Sequence, residues 1–173
     1  MFAVVTGLML MLQPITAAPA PPPAAATTTP AFSAGAAATR DLTRIVAASG
    51  LPALAGDAFR FTDIAPGGTV ATIFDARRTG TESQRTIVTL SFRDGAWTPD
   101  TREAKRLAPE TFDYMSGRIA TAITTGGPAT PCPDGSDYLS ERATAGTVRA
   151  LPGCGTDHPN LALARLFGVR ETP

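Results

Sequence analysis

No charged residue precedes Arg40 in this 173-residue chain. A stretch of that length without charge cannot supply an ordinary solvated surface, so the folded part must be sought after it. The stretch has two parts. Met1 to Leu12 (MFAVVTGLMLML) is an apolar run, closed by Gln13 and Pro14 and followed by the small residues Thr16, Ala17 and Ala18. This is the order of a secretory signal's hydrophobic region and its small-residue cleavage site, although the usual positive n-region is missing. The run is well short of the roughly 20 apolar residues of a bilayer-spanning helix. Residues 1–18 are therefore expected to be a removable signal peptide; the alternatives for such a run are an uncleaved anchor or a buried helix. The cleavage region holds no cysteine, so a lipid-modified N-terminus is chemically excluded.

Residues 19–39 continue a stretch, from Thr16, that is almost wholly Ala, Pro and Thr, with Phe32 as its one aromatic. Apolar bulk is too scarce there to offset the entropy of ordering the chain, and the prolines favour extended polyproline II. It reads as a disordered tether. Residues 40–173 then have the length of one domain.

Formal charge is zero, from 15 basic and 15 acidic residues, which leaves no electrostatic footprint for nucleic acid or an anionic membrane. Lys105 is the only lysine. Arginine suits bidentate recognition of carboxylate or phosphate, but with no cluster visible beyond Arg77 and Arg78 the bias reads as codon composition.

Within the domain, Leu42, Ile45 and Val46 share one face of a helix expected from Asp41 to Gly50. Phe59 and Phe61 alternate with polar residues as in a half-buried strand, ended by Pro66-Gly67-Gly68. Val70–Asp75 and Arg85–Arg93 read as two further strands, with Arg77 to Gln84 as the hairpin loop between them. Asp94-Gly95 is a strong hairpin signal, predicting a short fourth strand at Ala96–Thr98 that stops at Pro99. Asp100 and Glu103 have capping-box spacing, so a helix is expected from Asp100, broken near Ala108, with a second helix from Pro109. Phe112, Met115, Ile119 and Ile123 form its apolar stripe before Gly126-Gly127-Pro128. Tyr138-Leu139, the turn Ala145-Gly146 and Thr147–Leu151 predict another hairpin, and Asn160–Phe167 a closing helix anchored by Leu161, Leu163 and Leu166. The expected fold class is α+β: an antiparallel sheet of four or more strands with helices packed on one face.

The two cysteines, Cys132 and Cys154, lie 22 residues apart, just outside the ends of that last hairpin. In an exported chain the simplest reading is one structural disulfide closing the hairpin, contributing roughly 3 kcal/mol on chain-entropy grounds. No Cys-x-x-Cys spacing supports a redox thiol, and two cysteines with one histidine fall short of a structural zinc site.

Catalytic motifs are absent. His158 is the sole histidine and so the sole neutral-pH base for a hydrolase; the serines available to it, Ser136, Ser140 and Ser91, sit in no Gly-x-Ser-x-Gly elbow. Neighbouring Asp157 is poorly placed to orient the imidazole. Asp134, Asp137 and Glu141 lack calcium-loop spacing and read as a turn residue, a strand start and an exposed strand position. Glu103 and Glu110 flank the expected helix break without forming a recognisable acid and base pair. Phe92 and Trp97 read as core beside a hairpin. No catalytic, cofactor or metal residue is therefore assigned.

These features point to an exported protein, periplasmic or secreted. Its expected role is a non-catalytic binding or interaction domain with an unidentified protein or small-molecule partner, without nucleic acid and without stable membrane insertion once the signal is removed. The alternatives are a small envelope hydrolase with His158 as base, or a purely structural envelope component.

Overall fold

The computed structural model describes residues 42–126, 136–154 and 159–168. The expected signal peptide and tether, together with Cys132, Asp134, Asp157 and His158, lie outside them. The elements run α1 (Leu42–Ser49), β1 (Asp57–Ile64), β2 (Val70–Thr79), β3 (Glu82–Arg93), β4 (Ala96–Leu107), α2 (Pro109–Thr125), β5 (Asp137–Thr144), β6 (Thr147–Cys154) and α3 (Pro159–Leu166). The six strands make one antiparallel sheet in the order β4-β3-β2-β1-β5-β6, an α+β arrangement. Among the described residues no helix is long and apolar enough to cross a membrane.

Strand alternation divides the sheet into two unlike faces. On the first, Phe59, Phe61, Phe74 and Tyr138 meet the stripe of α2 and the Leu163, Ala164 and Phe167 side of the C-terminal helix and its following turn. Phe167 stacks on Phe74 with ring centroids 4.7 Å apart, and Phe112 of α2 lies 5.2 Å from Phe59. On the second face, Ile64, Ala71, Ile73, Val88, Leu90 and Leu139 pack with Leu42 and Ile45 of α1 and with Trp97. Helices therefore cover both faces, not one. Each strand of the centre is apolar on both sides over part of its length, and a single helical layer would leave Ile64, Ile73 and Val88 in water.

The hairpins are longer and tighter than periodicity alone suggests. Asp94 (φ 52°) and Gly95 (φ 79°) form the turn expected of that pair, as do Ala145 (φ 48°) and Gly146 (φ 81°) in the β5–β6 hairpin. Between β2 and β3, however, the loop is only Gly80-Thr81, flanked by the pair Thr79 and Glu82. Arg77, Arg78 and Gln84, expected in a loop, are strand residues.

The expected helix from Asp100 does not form. Ala96–Leu107 is one continuous edge strand, paired with β3 from Arg93 to Ser83. Its helix-prone composition is overridden by the ladder that β3 offers. Pro99, which cannot donate to a ladder, is accommodated on this edge at a register shift that leaves Asp100 outside the pairing. Freed from a capping role, Asp100 accepts a hydrogen bond from Ser91 and pairs with Arg93. Arg85 and Lys105 flank Glu103, and Arg106 pairs with Glu82, so the edge is heavily charged, a feature that discourages pairing with another chain.

Pro109 opens α2 at its first turn as expected, where its missing N–H costs nothing. Phe112, Met115 and Ile119 are buried, with Ile123 packed beside them. Leu163 is buried and Leu166 partly so, whereas the side chain of Leu161 lies outside the described residues. Trp97 and Phe92 form a cross-strand aromatic pair 5.4 Å apart, as core residues beside a hairpin should.

Candidate functional site

Two clusters of polar side chains stand out, on opposite faces of neighbouring strands. The first is buried. Register places Arg60 of β1 opposite Asp75 of β2 and opposite Glu141 of β5. Arg60 donates to Asp75 Oδ2 from Nε at 3.0 Å and from Nη2 at 2.8 Å, while Arg77, two positions along β2 on the same face, donates to Oδ1 from Nε at 2.6 Å. The remaining guanidinium donors turn outward: Arg60 and Arg77 both donate to the Pro52 carbonyl, and Arg77 also to that of Ala53. Arg60 and Asp75 are each 3% exposed. The pair survives burial because nearly every donor and acceptor around it is matched.

Glu141 completes this cluster without joining its hydrogen bonds. Expected on an exposed strand position, it is instead half-buried, and its Oε2 has no hydrogen-bond partner among the described residues. Burial pushes the Glu141 carboxyl above its ordinary value; Arg60 opposes that shift and Asp75 adds to it. A carboxyl raised in this way is a feature that acid and base catalysts share. Here it faces Arg60 and Asp75 within the sheet, with no nucleophile described beside it.

The second cluster is open. The next residue on β5, Arg142, points to the first face and stands directly across from Arg149 of β6. Together with Thr144, Thr147 and the Ala120, Ile123 and Thr124 side of α2, these arginines line a cleft of about 330 Å³. That is the lower end of the range for small-molecule sites. Arg149 is exposed and Arg142 half-buried, with its Nε buried and unpartnered; among the described residues neither meets a carboxylate. On the helix wall the Ala120 and Thr121 carbonyls already accept from the Thr124 and Thr125 hydroxyls, at 2.8 Å and 2.9 Å, and the Ala122 carbonyl from Gly126 N–H.

The residues singled out from sequence are dispersed. Ser136 and Ser140 are buried at 4% and 0% exposure, and Ser91 lies on β3 bonded to Asp100. Asp137 does begin β5, but it is buried and lies four residues from Glu141, roughly 13 Å along a strand. One ion cannot be shared across that span. Among the described residues no group of three or more His, Cys, Asp or Glu is arranged to hold a metal. Glu103 sits in ion pairs on the β4 edge and Glu110 in the first turn of α2. Cys154 is the last residue of β6, within the strand, and pairs with Asp137.

Sequence reasoning missed both arginine clusters. The signal was present as alternation: Arg60 and Asp75 each interrupt strongly apolar strands at positions facing the same way. Which strands would be neighbours was needed to see it. The adjacent pair Arg77 and Arg78 also splits across the sheet, since Arg78 turns to the first face. There it pairs with Asp57 and Asp113 and lies 4.2 Å over the Phe112 ring.

Two expectations follow from the buried cluster. Asp75→Ala removes the carboxylate that is hydrogen-bonded to the buried Arg60 guanidinium and should lower unfolding free energy by about 3–5 kcal/mol, measured by denaturant titration. Glu141 binds its proton more tightly folded than unfolded, so its ionisation costs stability as pH rises from the ordinary value of 4.5 through the raised folded value. Glu141→Gln should therefore raise the melting temperature at pH 7 and lose that advantage below pH 4.5. An equal difference between variant and parent at all pH values would contradict this assignment.

Compared with protein families, with curated proteins and with solved structures, the chain matches none.

Proposed function

We propose that this chain is an exported binding domain that acts by contact rather than by catalysis. The observation that carries the reading is the open cleft between α2 and the β5–β6 hairpin, whose polar lining among the described residues is two arginines and three threonines. Guanidinium groups stay protonated throughout the physiological range and cannot exchange protons with a substrate. Such a lining recognises and orients; it does not supply a general acid, a base or an activated nucleophile.

In this reading residues 1–18 are a removable signal peptide, 19–39 a tether and 40–173 the domain, in the periplasm or released outside the cell. A Cys132–Cys154 disulfide closes the open end of the β5–β6 hairpin, the end away from the Ala145-Gly146 turn and the cleft. Its support is that Cys154 lies opposite Asp137, five residues after Cys132, a span short enough for the chain to return, and that no described cysteine is a free thiol. The hydrolase alternative is disfavoured by the burial of Ser136 and Ser140 and by the commitment of the half-buried Ser91 hydroxyl to Asp100.

The purified exported protein should show no turnover on ester, peptide and phosphomonoester substrates. Hydrolysis that disappears in His158→Ala while the melting temperature is kept would establish the enzyme instead. Intact mass of the secreted protein should correspond to a chain that has lost about its first 18 residues and two hydrogens. Full-length mass, or labelling of both native cysteines by a thiol reagent, would remove the signal or the bridge respectively.

A further inference from the structure

Arg142 and Arg149 stand directly across from one another on an antiparallel pair, an arrangement of like charges that weakens a hairpin. A hairpin usually avoids this, or places a carboxylate nearby. Among the described residues neither arginine forms an ion pair, the Ala120, Thr121 and Ala122 carbonyls of the adjacent helix accept from the Thr124 and Thr125 hydroxyls and from Gly126 N–H, and the Arg142 Nε is buried without an acceptor. The unmet need on this wall is for oxygen acceptors carrying negative charge.

We propose that the cleft binds a small molecule through an oxyanion, carboxylate or phosphate, gripped by the guanidinium forks of Arg142 and Arg149. The Thr144 and Thr147 hydroxyls, at the flanks of the Ala145-Gly146 turn, line the rim as further donors, and Ile123 with Ala120 provides a short apolar wall for the rest of the ligand. Two adjacent forks match the several acceptor lone pairs of such a group better than one point charge would. Arg60 and Arg77 are not available to it, being committed to Asp75 on the other face. The inference rests on the binding reading above and names its ligand class.

Calorimetric titration of the mature protein with phenyl phosphate, with benzoate and with neutral benzyl alcohol, at constant ionic strength, tests it. One of the two anions should bind saturably and the alcohol should not; the better anion tells a phosphate from a carboxylate ligand. Arg149→Gln, at an exposed position, and Arg142→Lys, which keeps charge but loses the fork, should each weaken binding by about tenfold or more. Arg149→Gln should at the same time leave the melting temperature of the free protein unchanged or higher, because the opposed charge is gone. Anion binding unchanged in both variants, or no saturable binding of either anion up to about 10 mM, overturns the proposal and leaves the general binding reading standing. Turnover of phenyl phosphate lost in His158→Ala would instead overturn the binding reading.

Discussion

The carboxylate of Asp75 is the point on which much of this fold turns. It sits in the middle of the sheet and receives Arg60 from one side and Arg77 from the other. Those guanidiniums still have donors to spare, and they spend them on the Pro52 and Ala53 carbonyls in the connection from α1 to β1. One buried charge thus joins the β1–β2 pairing to a loop that has no ladder of its own. Through that loop it seats α1 on the second face, where Leu42 and Ile45 cover Ile73 and Val88. Arg102 of β4 reaches the same region, donating to the Ser49 carbonyl at the end of α1.

The same cluster separates structure from surface chemistry on β5. Glu141 and Arg142 are consecutive, and strand alternation sends them to opposite faces. Glu141 is drawn into the neighbourhood of Arg60 and Asp75, where burial raises its carboxyl. Arg142 emerges into the cleft beside α2 and meets Arg149. Oppositely charged neighbours in the chain therefore never compensate each other, and the cleft keeps its positive character although the whole chain is neutral.

Local chemistry was legible wherever a residue had only one good option. Asp94-Gly95 and Ala145-Gly146 turn, Pro109 starts a helix, and the Phe112, Met115, Ile119 stripe buries, because each depends on backbone geometry or periodicity within a few residues. The reading failed at Asp100–Leu107, where cap spacing and helix-forming residues competed with a partner strand distant from view. It failed for Arg77 to Gln84 for a related reason: polar residues suggest a loop, but a central hairpin keeps its ladder when its arginines have Asp75, Asp57, Asp113 and backbone carbonyls to bind.

By itself the sequence determined that no charge precedes Arg40, that the fold is α+β, where most of the turns fall, and which helical stripe faces the sheet. Those follow from short-range rules of charge, glycine and proline geometry, and hydrophobic period. Only the tertiary structure decided that helices take both faces, that β4 is a strand, and that Arg60, Asp75, Arg77 and Glu141 share one buried cluster while Arg142 and Arg149 share an open one. The reason is that strand order and register are collective properties. A side chain's neighbours across a sheet come from segments as far apart as β1 and β5, and no local pattern records which of them will meet.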